Sequence, residues 1–368
     1  MIMDDPFACF GSDSDGEDIN FDNGSNEDEL SRSIKNHNGG KRLKDATNKR
    51  QTATNTLLST PSLIDHVPIL SPNDYEVFSC SNPNNGYEEG CYGVRAKRCY
   101  KKGELILSEN PIIRINTSLV ASSEEEAMDK LDTVVENAFR NLSPISYQNI
   151  MKLSSCRECE DRKSPFGIFQ TNNYQLGKDS GYSGVFLTMS RFNHSCRPNA
   201  NHYWRPDLHS MNLYASRDIG INEELCTMYG PMDYFDTERR RSYLEDKFSF
   251  HCMCEMCREG NQNGGDDNMK EIQEFHDSIS FFMNQPNVLL QRVNHCLNLM
   301  QDQGKDSGQP FAFVLHYGYQ ACIMNKKYDA AYSYLERELS CIKNSQGETS
   351  YRALDLEALM KNMGELSR

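Results

Sequence analysis

The chain has 368 residues and a formal net charge of -14, long enough for two or three domains with substantial cores and too acidic overall to advertise a nucleic-acid surface. Met1 to Asp22 is acidic and has no apolar h-region, so no secretory signal is expected, and no apolar run is long enough to span a membrane. The 14 cysteines therefore point to a reducing intracellular compartment, nucleus or cytoplasm, where clustered thiols bind metal more often than they pair.

Residues 1–72 read as a disordered tail. Asp4 to Glu29 carries ten acidic residues and no Lys or Arg; such a segment cannot bury enough apolar surface to offset its ordering entropy. Lys41-Arg42-Leu43-Lys44 and Lys49-Arg50 then reverse the charge, reading equally as a nuclear-import signal or as a solvated basic patch. Order is expected from Tyr75. Short β-prone runs at Glu76–Phe78, Gly93–Ala96, Leu105–Leu107 and Ile112–Ile113, with a Lys102-Gly103 turn and Pro111 marking an edge, predict a β-meander.

Residues 116–166 read as a helical insert. Ser122 or Ser123 caps a first helix whose opening turn carries Glu124, Glu125 and Glu126, with Ala127, Leu131, Val134, Val135 and Ala138 at helical spacing. Ile145 to Leu153 makes a second helix, and Cys156-Arg157-Glu158-Cys159 is a lone Cys-x-x-Cys that reads as a structural loop. Strands resume with Ile168–Gln170, turning at Thr171–Tyr174, then Asn212–Ala215 and Glu223–Gly230, before a charged helix at Glu238–Asp246. From 266 to 368 the periodicity is helical throughout, in five segments. Tyr328, Ala331, Leu335, Leu339 and Ile342 mark one such apolar face, and Asn325-Lys326-Lys327 is a short turn between neighbouring helices, as in tetratricopeptide-type pairs.

The densest chemistry lies at Asn193-His194-Ser195-Cys196-Arg197-Pro198-Asn199. Alone, this run reads as a capped turn between strands. Downstream, Cys252-x-Cys254-x-x-Cys257 supplies three thiolates, and a structural zinc takes four tetrahedral ligands. Cys196 is the candidate fourth, which would staple the tail onto the motif and leave the metal no open position; the competing reading is a run of buried cysteines. A zinc-ribbon nucleic-acid binder would need a basic face here, and Glu255, Glu259, Asp266 and Asp267 oppose one.

Asn-His-Ser-Cys-x-Pro-Asn at 193–199, Glu-Glu-Leu-x-x-x-Tyr-Gly at 223–230 and Phe-x-Cys-x-Cys-x-x-Cys at 250–257, in this order, resemble the SET-domain lysine methyltransferases from about Glu76 to Cys257. The helical tail is similar to that of the SET-and-MYND subgroup and its fungal-type relatives, but an insert holding only Cys156 and Cys159 is expected to lack the MYND zinc module. The resemblance implies an α+β chain: a SET fold of short curved strands over 75–230, a post-SET zinc segment over 231–258 and an all-α accessory region over 266–368. It further implies methyl transfer from S-adenosyl-L-methionine to a lysine of a histone or another protein; on charge and hydropathy no direct nucleic-acid or membrane partner is expected, and the chain is expected to be a monomer. By the same resemblance Asn193, His194 and Asn172 bind the cofactor, Phe250 packs on its adenine, and Tyr229 lines the channel where amine and methyl donor meet. Tyr92 and Gly93 belong to the loop that cradles the donor, where Cys91 replaces the first glycine of the family's Gly-x-Gly. That replacement motivates an alternative, a catalytically weak SET protein acting as a binding or scaffold module.

Methyl transfer from a sulfonium is an in-line displacement, so the protein must align two reactants and present a neutral amine. A free lysine is almost wholly protonated at neutral pH; a desolvated aromatic channel beside a positive sulfonium favours loss of that proton. Tyr182, Tyr203, Tyr214 and Tyr234 are further candidates for channel walls, each equally an ordinary core residue.

Overall fold

The computed structural model describes residues 74–79, 92–155, 163–177 and 180–366, all within the compact unit His66–Arg368. The acidic and basic runs of the tail, Gly90, Cys91 and the Cys156–Cys159 pair lie outside the described residues. Among the described residues, no helix is long and apolar enough to cross a membrane.

The described residues hold these short strands, in chain order: β1 (Tyr75–Ser79), β2 (Tyr92–Ala96), β3 (Leu105–Glu109), β4 (Ile113–Asn116), β5 (Asn173–Gln175), β6 (Tyr182–Val185), β7 (Asn193–His194), β8 (Ala200–Arg205), β9 (Ser210–Ala215) and β10 (Glu224–Thr227). They form small sheets ordered β1-β2-β10-β7, β3-β9-β8 and β4-β6-β5. The expected meander does not form, because β2, β3 and β4 enter three different sheets. The backbone explains this: Gly103 N–H donates to Ala215 O at 2.8 Å and Ala215 N–H to Glu104 O at 2.9 Å, so the Lys102-Gly103 turn delivers β3 to β9 and not back to β2. Val94, Ile106, Leu107, Phe186, Phe192 and Leu213 meet in one fully buried core, each such side chain contributing about 1.5–3 kcal/mol.

The insert supplies α1 (Glu124–Arg140), α2 (Pro144–Ile150) and α3 (Pro165–Asn172). Ser123 caps α1, its hydroxyl accepting from Glu126 N–H at 3.2 Å. The buried face of α1 runs through Val135 and Phe139, while Val134 is left exposed; only one stripe of the helix meets Ile113, Ile115 and Val185 of the third sheet. Ile168–Gln170 is not a strand. Ser164 caps α3 by accepting from Gly167 N–H at 2.9 Å, Pro165 opens it with a preset φ, and Ile168 and Phe169 are buried from the helix.

Beyond the strands come α4 (Thr237–Phe248), α5 (Glu255–Glu259), α6 (Gly265–Ser278), α7 (Pro286–Asp302), α8 (Gly308–Met324), α9 (Tyr328–Gln346) and α10 (Tyr351–Leu366). From α6 to α10 each helix packs on the next, and α9 also packs on β8 and β9. A close crossing is made at Gly318, where a Cβ would stand 2.4 Å from the Tyr334 ring. On α9, Ala331, Leu335 and Ile342 are buried as expected, but Tyr328 is exposed. Arg205 Nη2 donates to Thr349 Oγ1 at 3.2 Å, fixing the turn between α9 and α10 to β8.

Candidate active site and thiolate cluster

The motif at 193–199 becomes a site because β7 lies parallel to β10, with Cys226 opposite Asn193 and Thr227 opposite His194. Asn199 holds that pairing: its Nδ2 donates to Glu223 Oε1 at 2.9 Å and Glu224 O at 2.8 Å, and its Oδ1 accepts from Cys226 N–H at 2.8 Å. Asn193 Nδ2 donates to Glu224 Oε1 at 2.8 Å. Burial raises the Glu224 carboxyl above its ordinary range, and the Asn193 amide works against that rise. Gly93 sits against this pair; a Cβ there would stand 2.7 Å from Glu224 Oε1 and 2.9 Å from Asn193 Nδ2.

The buried His194 ring meets two aromatic rings, 5.3 Å from Tyr229 and 6.1 Å from Phe250, centroid to centroid, and those two stand 6.4 Å from each other. Burial pushes its pKa down to about 4. Tyr229 N–H donates to His194 Nδ1 at 3.0 Å, and Tyr229 Oη donates to Phe192 O at 2.7 Å. Phe248 completes the wall, 5.0 Å from the Tyr229 ring. Gly93, Asn193, His194, Tyr229 and Phe250, separated widely in sequence, thus come together. Tyr92 is half exposed beside them, under the Arg191 guanidinium at 5.8 Å. Asn172 is buried, and its Nδ2 donates to Ser154 O and Ile168 O, both at 2.7 Å, so what it can offer a ligand is its carbonyl oxygen.

Of the further aromatic candidates, Tyr182 lies beneath Arg114 at 4.2 Å, Tyr214 Oη accepts from Asn212 Nδ2 at 3.0 Å, and Tyr234 stacks on His276 at 4.9 Å.

The sulfurs of Cys196, Cys252, Cys254 and Cys257 all lie within 4.8 Å of one another, with Cys196 at 4.0 Å from Cys252 and 3.5 Å from Cys257. Sulfurs around a tetrahedral zinc, at about 2.3 Å from it, stand about 3.8 Å apart. The surroundings also suit a metal-thiolate group. Arg240 is 1% exposed; its Nη2 donates to Thr237 Oγ1 at 2.8 Å, while its buried Nε lacks a hydrogen-bond partner among the described residues. Burial opposes its charge, and the Cys196 and Cys257 sulfurs together with the Asp266 carboxylate outweigh that opposition. A guanidinium so placed calls for a nearby anion, and four thiolates on a divalent ion carry a net charge of about -2. Arg241 Nη2 adds a bond to Cys257 O at 2.8 Å.

The sequence pattern of the SET domain family matches residues 91–230. The matched stretch holds Gly93, Asn193, His194, Cys196 and Tyr229, while Phe250 and the other three cysteines follow it. The chain is 32% identical over 190 residues to "Histone-lysine N-methyltransferase set5" of Schizosaccharomyces pombe, covering 51% of this chain and 52% of that protein. It is 34% identical over 93 residues to "Potential protein lysine methyltransferase SET6" of Saccharomyces cerevisiae, 25% of this chain and 24% of that protein. It is 38% identical over 77 residues to "Protein-lysine N-trimethyltransferase SMYD5" of Danio rerio, 20% and 19%. The match thus spans about half the length of the first of these relatives and a quarter or less of the other two.

Three contributors escape sequence reasoning. Glu109, buried on β3, accepts backbone N–H bonds from Thr188 at 2.9 Å and Met189 at 2.8 Å, fixing the 3-10 turn Met189–Arg191 that delivers Phe192 and Asn193. Nothing local to Glu109 signals this. Glu224 stands in the Glu-Glu-Leu motif, but its bond to Asn193 depends on strand pairing. Phe248 could have been found from its spacing of two before Phe250.

Proposed function

We propose that this chain is an S-adenosyl-L-methionine-dependent protein-lysine N-methyltransferase, with a structural zinc on Cys196, Cys252, Cys254 and Cys257. What supports the reading is the meeting of Gly93, Asn193, Tyr229 and Phe250 at one end of the β2-β10-β7 sheet, in a domain whose relatives bear lysine methyltransferase names. The cofactor would supply an activated methyl group on a sulfonium.

Gly93 leaves room for backbone to approach the donor. Asn193 and the His194 main chain hold it, and Phe250 gives an apolar face for its adenine. Tyr229 and Phe248 wall the channel on the acceptor side, where desolvation favours a neutral lysine amine. The Tyr229 hydroxyl, steered by Phe192 O, orients that amine in line with the bond to be broken. The cofactor would supply its methyl group to the amine lone pair held there, with its thioether as the leaving group and the amine's extra proton lost to water. The zinc would hold the Phe250 segment against the SET domain and take no part in the transfer.

The substrate is read as a lysine of a histone or another protein. A monomer acting without nucleic acid or membrane, in the nucleus or cytoplasm, fits this reading, with the α6–α10 helices as a tetratricopeptide-like accessory region. The test is transfer of labelled methyl groups to a histone panel and to whole lysate, by wild type and Tyr229→Phe, with S-adenosylmethionine binding measured by calorimetry. Labelling by wild type and a loss of about 100-fold in Tyr229→Phe is expected, the scale for one preorganised donor. Equal labelling by both proteins removes Tyr229 from the mechanism, and a wild type that binds no cofactor favours the scaffold alternative.

A further inference from the structure

We infer that the His194 side chain is a positioning residue that joins the cysteine cluster to the backbone of Tyr229, an inference that rests on the proposed zinc and methyl-transfer reading. The resemblance gives His194 to the cofactor, yet both of its ring nitrogens are engaged within the protein. A backbone N–H can only donate, so Tyr229 N–H at 3.0 Å from Nδ1 requires a lone pair on Nδ1. A neutral imidazole then carries its proton on Nε2. Nε2 lies 3.1 Å from Cys196 Sγ, so the ring donates to that sulfur, which accepts far better as a metal-bound thiolate than as a thiol.

The ring is therefore oriented from both sides. Cys196 fixes its tilt, and the ring in turn fixes the amide of Tyr229, whose hydroxyl is tethered to Phe192 O. Phe250 packs on the same ring at 6.1 Å, and Ser195 N–H donates to Thr227 O at 2.9 Å, so the neighbouring backbone has little freedom to compensate. Metal occupancy is thereby transmitted to Tyr229 through one imidazole, while the His194 main chain remains available to face the donor.

The test uses the full chain loaded with zinc, with ring-¹⁵N histidine, the His194 signals being assigned by their loss in His194→Ala. The expected spectrum has Nε2 protonated and Nδ1 bare; with ¹¹³Cd in place of zinc, the Nε2 proton is coupled to the metal through the Cys196 sulfur. An Nδ1-protonated ring, an imidazolium, or a folded chain that takes up neither zinc nor cadmium overturns the inference. His194→Ala should weaken zinc affinity about 10–100-fold, the range for groups that orient metal ligands; full retention counts against the link. Should that variant fail to fold, the wild-type spectrum still decides. The outcomes separate from the proposed activity: the expected tautomer in a protein that binds no S-adenosylmethionine leaves the link standing and the enzyme reading fallen, and the opposite pattern does the reverse.

Discussion

Gly93→Ala separates the cofactor cradle from general stability. The backbone there is strand-like and paired within β2, so alanine is conformationally allowed and recovers about 0.5–1 kcal/mol of the entropy that glycine loses on folding. Its Cβ, however, would stand 2.7 Å from Glu224 Oε1, 2.9 Å from Asn193 Nδ2 and 3.1 Å from Phe78 Cε1. Two of these three atoms are the ends of side chains that can give way, so overpacking should cost near the low end of the usual range of about 1–3 kcal/mol. The net is a loss of about 1 kcal/mol or less, a fall in Tm of about 2 °C or less for a chain of this size. Giving way has a specific consequence, because the atoms that must separate are the donor and acceptor of the 2.8 Å Asn193–Glu224 bond. A hydrogen bond to a charged group contributes about 1.5–3 kcal/mol, so a misplaced Asn193 should weaken S-adenosylmethionine binding at least about tenfold. Titration calorimetry beside a thermal melt measures both. Wild-type affinity in a folded Gly93→Ala protein would refute the role given to the Gly93–Asn193–Glu224 contact, whatever the melt shows.

Elemental analysis should find about one zinc per chain, and Cys196→Ser should lose it; full retention would hand the fourth position to another ligand. In the helical region, Glu338 is 1% exposed and receives Arg352 Nη2, with His316 Nδ1 at 3.0 Å. Glu338→Ala should lower the unfolding free energy in urea by about 3–5 kcal/mol by stranding the guanidinium, whereas Glu338→Leu with Arg352→Met together should recover most of the loss; equal losses in both would show that the charges are not what matters.

Helix starts are legible in the sequence because caps are local: Ser123 and the three glutamates after it need no distant partner. The strands β2, β3, β9 and β10 are legible as elements, but their sheets are not, since β3 joins β9 and β2 joins β10 across a hundred or more positions, as Lys102-Gly103 demonstrates. α3 misleads because Ile168 and Phe169 are β-prone and the helix is too short to display periodicity; the Ser164-Pro165 start signal lies just upstream. In the site, Asn193, Tyr229, Phe250 and the cysteines can be read because residue type and order carry their chemistry. Glu109 cannot, because its role is set by which backbone N–H groups the fold brings to it.

The order β1-β2-β10-β7 places a strand made late in the middle of its sheet. While the chain is being synthesised, residues 92–96 and 193–194 emerge well before residues 224–227, and the facing edges of β2 and β7 wait without their common neighbour. Unpaired strand edges invite pairing with other chains, and such long-range closure is slow. A nascent chain stopped near residue 220 would therefore be a sticky fragment without a completed site. The pocket can close only after the ribosome has released the segment that carries Tyr229 and Phe250.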